Sequence, residues 1–183
     1  MEKFPEIETQ RLLLNELQFT DIPDIVTYAS NKKIADFTLN IPHPYEEKDA
    51  VFWLNMAYQG FRNKTQMIFA IRLKKTSRFI GGIGLTLTRA FNRAEMGYWM
   101  SEPNWNKGYM SEAAKAVVRF GFEEMDVNKI TSSHLSTNPA SGRVMQNGGL
   151  TYEGTLKEHV CKKEVYHTLL VYGLTKNEYE QKK

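Results

Sequence analysis

Short stretches of this 183-residue chain alternate between hydrophobic and polar positions, and longer stretches repeat hydrophobic positions at helical spacing. Alternation or short apolar runs bounded by turn residues predict strands. The predicted strands are ETQRLLLNEL, MIFAIRLKK, FIGGIGLTL, AEMGYWM, KITSSHLS, YEGTLKEHVCKK and YHTLLVYGLT. Helical spacing predicts helices over residues 20–30 and 46–64, from Gly108 to about Met125, and, more briefly, over NKKIADFT and ASGRVMQNG.

The order of these elements predicts the fold class. A helix joins AEMGYWM to KITSSHLS. Two strands joined by such a helical crossover lie parallel, and the connection between them is right-handed. The last two strands are predicted to form a closing hairpin. The pattern is therefore typical of a mixed α/β protein, with one sheet, helices on both faces, and a single domain over residues 1–183.

The composition and charge of the chain limit which kinds of ligand and partner we expect. The net charge of +3 suits an acidic ligand such as a phosphorylated cofactor, but it is too weak to indicate nucleic acid. The single cysteine, Cys161, cannot form an internal disulfide, and no Cys/His cluster with zinc spacing predicts a metal. The N-terminal MEKFPEIETQ has no apolar leader segment, and no apolar run is long enough to span a bilayer. We therefore expect a cytoplasmic protein without a membrane partner.

The segment EPNWNKGYMSEAAKAVVRFGF passes from a strand through a one-glycine turn into a helix. A helix start has unpaired N–H groups and a partial positive charge, which together favour a phosphate. Gly108 allows close approach of the backbone, Lys107 adds charge, and Ser111 offers a hydroxyl or a helix cap. The alternative is an ordinary turn relieved by Gly108, and neither the P-loop nor the dinucleotide-binding glycine spacing is present.

Five segments, in order, resemble one family: ETQRLLL, IGGIGL, AEMGYWM, PNWNKGYMSEA and NPASGRVMQNGGLTYEG. The chain resembles the GNAT superfamily of acetyl-CoA-dependent N-acetyltransferases, in particular the branch that includes ribosomal-protein N-terminal acetyltransferases. The resemblance implies a central, mostly antiparallel sheet in which one parallel strand pair splays apart. It also implies that acetyl-CoA is the co-substrate and that an amine accepts the acetyl group.

The family's pyrophosphate loop, Q/R-x-x-G-x-G/A, falls on residues 105–110, with Trp at the first position and Met at the last. The resemblance implies that the pantetheine arm enters the splayed gap, pairs with backbone at Tyr98 and Met100, and contacts the Asn138 side chain. The implied cofactor-binding residues are Tyr98, Trp99, Met100, Trp105, Asn106, Lys107, Gly108, Tyr109, Met110, Ser111, Asn138 and Ser141.

The implied chemistry requires a base, because an alkylamine is protonated at neutral pH. Glu95 is the candidate, on one strand face with Gly97 and Trp99, where we expect partial desolvation to raise its pKa. The alternative is that Glu95 pairs with a nearby arginine, Arg93 or Arg89.

Many relatives have a tyrosine acid where this chain has Met145, so Ser141 is the candidate acid. The alternatives for Ser141 are capping the helix that begins near Pro139 and simple cofactor contact. By family likeness, the N–H of Met100 is the candidate donor to the developing oxyanion.

The acceptor amine is not fixed by sequence. His43 and His134 are candidate acceptor contacts, although a strand histidine is commonly structural. The aromatic side chains of Phe52, Trp53 and Tyr58 recur at helical spacing, which favours a position in the core. Lysines on the closing hairpin indicate an acidic or uncharged acceptor. These lysines are Lys157, Lys162 and Lys163.

The predicted function is direct transfer of acetyl from acetyl-CoA to a protein N-terminus or a small amine, by a monomer or homodimer. The alternatives are a catalytically silent acyl-CoA-binding module and a protein-interaction domain without a nucleotide ligand. The loop NKGYMSEA with Asn138 argues against the interaction domain, and Glu95 with Ser141 argues against the silent module.

Overall fold

The computed structural model describes residues 3–182, in which eight strands form one sheet in the order β1-β2-β3-β4-β5-β6-β8-β7. The strands are β1 Ile7–Glu8, β2 Leu12–Glu16, β3 Gln66–Leu73, β4 Phe79–Thr88, β5 Arg93–Met100, β6 Lys129–Leu135, β7 Thr151–Lys162 and β8 Val165–Thr175. The helices are α1 Ile22–Ala29, α2 Lys32–Phe37, α3 Glu47–Arg62, α4 Tyr109–Glu123, α5 Pro139–Asn147 and α6 Lys176–Gln181. The prediction of a mixed α/β protein is confirmed.

The strands β5 and β6 are parallel, while the other neighbouring pairs in the described sheet are antiparallel. Pairing between β5 and β6 ends at Glu95 with Thr131, and both strands then continue apart. Beyond that point the Ser132 hydroxyl donates to the Met96 carbonyl at 2.7 Å, so a side chain spans the widening gap. The splayed pair that the family resemblance implied is therefore present.

Two apolar clusters cover the two faces of the sheet. On one face α4 buries Ala113, Val117 and their neighbours against strand residues such as Ile71 and Leu85. On the other face α1 and α3 pack over Ala70 and Phe79. Burial of apolar surface on both faces is the main stabilisation of such a layered fold. It also leaves the splayed gap as an opening between the layers.

The first predicted strand, ETQRLLLNEL, is confirmed for β2, but its first residues belong to the end of β1 and to a turn that the prediction missed. A turn separates β1 from β2, and the Thr9 hydroxyl accepts a hydrogen bond from the Leu12 N–H at 2.9 Å. The turn replaces strand pairing for residues 9–11 and directs Arg11 towards α4.

The prediction also missed α6. Thr175 and Glu178 form a capping box there, with Thr175 accepting from the Glu178 N–H and Glu178 accepting from the Thr175 N–H. This T-x-x-E spacing is a known helix-start signal, and it was present in the sequence. Within residues 3–182 no helix has the length and apolar character needed to cross a bilayer.

Candidate active site

A cleft of about 1220 Å³ runs from the start of α4, through the gap between β5 and β6, to the opposite face of the sheet under α3. One end is lined by residues 104–106 and 108–111 and by α5, and the other by residues 37–42, Tyr45 and side chains of α3. We call these two ends the cofactor half and the acceptor half. The cleft brings most of the sequence-predicted site residues together.

Gly108 starts α4 in a left-handed conformation, with φ of 76°. The first intrahelical bond joins the Glu112 N–H to the Gly108 carbonyl at 3.0 Å. The N–H groups of Tyr109, Met110 and Ser111 have no hydrogen-bond partner among the described residues. This arrangement is an anion site of the kind that helix starts provide. Ser111 does not cap the helix, because Gly108 holds that position.

The two departures from the family loop have structural explanations. The Trp105 indole N–H donates to the Met100 carbonyl at 2.6 Å, so this side chain fixes the turn between β5 and α4. Met110 is buried in the core beneath α4, so its length does not extend over the loop. Asn106 has φ of 58°, a left-handed conformation that asparagine tolerates. Lys107 is exposed beside the loop.

A clamp that the sequence did not reveal holds this loop from behind. Arg11 donates through Nε to a Glu112 carboxylate oxygen at 2.7 Å and through Nη1 to the Lys107 carbonyl at 3.0 Å. The Thr9 hydroxyl donates to the same carboxylate at 2.6 Å. Burial would raise the pKa of Glu112, but the hydrogen bonds from Thr9 and Arg11 outweigh it and hold that pKa below its usual range.

No sequence spacing links Arg11 to Glu112, which lie about a hundred positions apart in the chain. The motif ETQRLLL marked the segment without giving its role. The clamp forms because the fold packs the turn before β2 against the start of α4.

Backbone groups of β5 face the gap in the expected places. The Ser101 N–H donates to the Ile80 carbonyl of the segment that forms β4 at 2.9 Å. Backbone direction alternates along a strand, so the N–H groups of Tyr98 and Met100 point away from β4 and into the gap. These are the groups that the family resemblance implied for a pantetheine arm and an oxyanion.

Ser141 and Tyr98 form a pair at the wall of the gap. The Tyr98 hydroxyl donates to the Ser141 carbonyl at 2.8 Å and lies 2.9 Å from the Ser141 Oγ. Burial raises the pKa of Tyr98 above its usual range, so its hydroxyl stays protonated at neutral pH. Asn138, not Ser141, caps α5, because its side chain accepts from the Ser141 N–H at 3.3 Å. The Asn138 amide also donates to the Phe37 carbonyl at 3.4 Å.

Glu95 lines the cleft but is exposed, so the expected desolvation is wrong for this structure. The carboxylate lies on an open part of β5 beside Gly97, where a side chain would meet nothing within 4 Å. The alternative pairing with arginine is also not observed within residues 3–182. Arg89 donates to the Lys64 carbonyl, and Arg93 lies over the Phe91 ring at 5.6 Å. Glu95 is therefore available to the cleft.

Aromatic side chains form much of the wall of the acceptor half. The prediction that the aromatic residues of α3 lie in the core is wrong for Phe52 and Tyr58, which are exposed. Trp99 lies on the face opposite Tyr98 and Met100, so its side chain faces the acceptor half although it was expected to bind the cofactor. Its ring is 5.8 Å from the half-buried ring of Trp53, which rests on Gly82. Other cleft residues in this half are Phe37, Ile41, Phe52, Met56 and Ile68. Phe52 and Tyr58 are 70% and 46% exposed.

The two candidate histidines differ in position. His134 is buried beneath α5, with Nδ1 2.8 Å from the Leu135 carbonyl and its ring against Gly142, which favours the structural interpretation. His43 is exposed, and its neighbours Pro42 and Tyr45, rather than His43 itself, line the described cleft. His134 therefore forms part of the cleft wall, whereas His43 does not line the described cleft.

A family model described as an Acetyltransferase (GNAT) domain matches residues 11–151, which is more than half of the chain. The chain therefore belongs to the GNAT acetyltransferase family and is an N-acetyltransferase. Acetyl-CoA-dependent acetylation is the activity of this family, and the resemblance that the sequence segments indicated is confirmed.

The chain is 30% identical over 175 residues to the "Uncharacterized N-acetyltransferase YnaD" of Bacillus subtilis (strain 168), covering 94% of this chain and 98% of that protein. A GNAT acetyltransferase structure from Bacillus anthracis matches with a TM-score of 0.84 at 24% identity, covering 95% and 100% of the two chains. RimL, a ribosomal L7/L12 alpha-N-protein acetyltransferase solved with Coenzyme A, matches with a TM-score of 0.84 at 16% identity, covering 95% and 99%. The similarity to these two solved structures shows that this chain has the same fold as they do.

Proposed function

We propose that this protein transfers acetyl from acetyl-CoA to a primary amine by direct attack, with both substrates bound in one complex. The observation that carries the proposal is the continuity of the cleft. It connects unpaired N–H groups at the start of α4 with an exposed carboxylate, Glu95, on the other side of the splayed strands. A thioester held in the gap and an amine held beside Glu95 would meet within one cavity.

The cofactor half fits coenzyme A in both charge and shape. The N–H groups of Tyr109, Met110 and Ser111 suit the pyrophosphate, and the backbone of Tyr98 and Met100 suits an amide-bearing arm. RimL, solved with Coenzyme A, has the same fold, which supports this placement. Bound there, acetyl-CoA supplies an activated acyl group with a thiolate leaving group.

Glu95 is proposed as the general base, acting through a water molecule. An alkylamine is an ammonium ion at neutral pH, and one proton must leave before nitrogen can attack. Gly97 lies two residues further along the same strand face, about 7 Å away at the usual rise of a strand. That separation leaves room for one water between the Glu95 carboxylate and an amine above Gly97.

The bond changes balance without another reactant. After the first proton has passed through water to Glu95 and on to solvent, the amine nitrogen bonds to the carbonyl carbon and the carbon–sulfur bond breaks. The second amine proton then passes through water to the thiolate, so that the products are the amide and CoA thiol. The Met100 N–H is proposed to donate to the carbonyl oxygen as negative charge develops on it. The Ser141 hydroxyl, positioned by Tyr98, is proposed to donate a hydrogen bond to the departing sulfur.

The test is release of free CoA from acetyl-CoA in the presence of a panel of primary amines. We expect thiol release above the hydrolysis background with at least one amine, and a rise in melting temperature with acetyl-CoA alone. A rise in melting temperature without amine-dependent thiol release from any amine would contradict catalysis. The absence of both would contradict the cofactor site itself.

A further inference from the structure

The acceptor half has an uneven distribution of charge. Among the described residues that line the cleft, the ionised side chains are Asp49, Glu95 and Arg143, with His134 buried at one wall. Arg143 is on α5, in the cofactor half. Among the described lining residues, the acceptor half therefore contains two carboxylates and no cationic side chain, while Lys48, outside the lining near Asp49, pairs with Glu46.

The hairpin lysines do not change this balance. Lys162 turns towards α2 and donates to the carbonyls of Ala35 and Thr38, where it caps the end of that helix. Lys157 and Lys163 are exposed and are not part of the described cleft lining. The expectation that these lysines indicate an acidic or uncharged acceptor is not supported by their positions.

The floor of the acceptor half is bare at Gly97, and apolar side chains form the wall on one side of it. A Cβ built on Gly97 meets nothing within 4 Å, although this glycine lies on a central strand. Trp99 is its neighbour on the same strand face, Trp53 packs against Trp99, and Ile68 lines the cleft from β3. The open volume above Gly97 thus has apolar and aromatic sides, with the Glu95 carboxylate next to it.

We propose that the acceptor is a primary amine on a flat apolar body without a carboxylate, such as an arylalkylamine, seated above Gly97. The proposal rests on the proposed acetyl transfer and adds the substrate class. The apolar body packs against Trp53 and Trp99, which stabilises it by removal of apolar surface from water. Asp49 and Glu95 attract the ammonium form during binding and repel an acceptor that carries its own carboxylate.

Asp49 is proposed as a specificity-determining residue. It lies in the first turn of α3, and one carboxylate oxygen accepts from the Glu46 N–H at 2.8 Å as part of a capping box. It lies close enough to Tyr45 to add to burial in raising the pKa of that hydroxyl to about 12. An asparagine in its place retains an acceptor for the Glu46 N–H and removes the charge.

The first experiment compares phenethylamine, phenylalanine, butylamine and a tripeptide amide with an alanine N-terminus as acceptors, by kcat/KM from thiol release. We expect phenethylamine to exceed phenylalanine by roughly tenfold or more, because like charges disfavour the amino acid. It should also exceed butylamine, because the aromatic body fills the space above Gly97. Preference for phenylalanine or for the peptide would overturn the proposal.

The second experiment uses two substitutions with matched controls. Asp49→Asn should reduce the preference for phenethylamine over phenylalanine several-fold, while Asp24→Asn, in the first turn of α1, should leave it unchanged. Gly97→Val should lower kcat/KM for phenethylamine about tenfold to 100-fold by overfilling the site, without changing affinity for acetyl-CoA. Gly154→Val is the control, since that strand glycine also has no neighbour within 4 Å.

The outcomes separate this proposal from the proposed function. If no amine in either panel releases CoA, acetyl transfer itself fails. If amines react but Gly97→Val and Asp49→Asn leave every ratio unchanged, acetyl transfer stands and the assignment of the acceptor is wrong. Circular dichroism and the acetyl-CoA-induced shift in melting temperature establish that each variant is folded.

Discussion

The two halves of the cleft are built from different parts of the chain. The cofactor half is formed largely by backbone: the N–H groups at the start of α4 and the strand edges facing the gap. The acceptor half is formed by side chains of α3, residues 37–42, Tyr45 and one face of β5. Backbone geometry follows from the fold, whereas side chains can change without changing it. The comparison therefore teaches that the fold itself supplies the groups of the cofactor half, while the acceptor half depends on the side chains of this chain.

The substitution with the largest expected effect tests whether catalysis and cofactor binding depend on different halves of the cleft. Glu95→Gln removes the proposed base and should lower kcat by about 100-fold or more, within the usual range for general base catalysis. Affinity for acetyl-CoA should not change, because Glu95 is on the acceptor face. Steady-state thiol release gives the first quantity and calorimetry the second.

Glu153→Gln is the control, because that carboxylate pairs with Lys129 outside the described cleft lining. An unchanged kcat in Glu95→Gln would remove Glu95 as the base. A large loss of acetyl-CoA affinity would contradict the division of the cleft into two halves.

The next effect tests the cofactor half alone. Gly108→Val places a β-branched residue at φ of 76°, a conformation that costs a non-glycine residue about 1–2 kcal/mol or more. The Kd for acetyl-CoA should rise about tenfold or more. Gly108→Ala should have a smaller effect in the same direction, and equal affinities in all three proteins would contradict the role of this helix start.

A pH-dependent effect tests the clamp behind the loop. The pKa of Glu112 is held below its usual range, so its bonds to Thr9 and Arg11 stabilise the fold above pH 4.5 and are lost as pH falls through the lower, folded-state pKa. Glu112→Gln should lose about 1 kcal/mol at pH 7, with a fall in melting temperature of about 2–4 °C. The difference from wild type should shrink below pH 4.5.

Melting curves of the two proteins between pH 3.5 and pH 8 provide the measurement. Glu16→Gln, which changes an exposed carboxylate at the end of β2, is the comparison variant. A constant difference across the whole pH range would show that Glu112 acts through packing rather than through its charge.

The smallest effect concerns the wall of the gap. Tyr98→Phe removes the hydroxyl contacts with Ser141 and should weaken acetyl-CoA binding a few-fold, as expected for about 1 kcal/mol. Since burial keeps Tyr98 protonated, the effect should be the same at pH 6 and pH 9. Tyr179→Phe loses a hydrogen bond to Glu123 away from the cleft and should not alter this affinity.

Most of the fold was predictable because it follows from local periodicity. The alternation in AEMGYWM, the helix after Gly108 and the crossover to KITSSHLS all appear in the structure near their predicted limits. The turn inside ETQRLLLNEL was missed, since its stabilising bond from the Leu12 N–H to the Thr9 hydroxyl is a side-chain contact that hydrophobic periodicity does not show. The helix α6 was missed although its capping box was present in the sequence.

The site was predictable to the extent that backbone forms it. Gly108 followed from the pattern of the loop, whereas the gap beside Tyr98 followed from the family resemblance. The clamp between Arg11 and Glu112 and the aromatic wall of Trp53 and Trp99 depend on contacts between distant segments, which periodicity does not encode. The exposure of Glu95 could not be read from its place on a central strand, because it depends on what the neighbouring helix leaves uncovered.

The short helix α2 is fastened at both ends. Asn31, its cap, donates to Glu102 at 2.5 Å, just before the loop at Gly108, and Lys33 pairs with the same carboxylate. At the other end Lys162 donates to the carbonyl of Ala35, so hydrogen bonds fix both ends of α2 at the mouth of the cleft. Widening of the mouth would therefore break these contacts or displace the turn that leads to Gly108, so the two halves of the cleft share one set of supports.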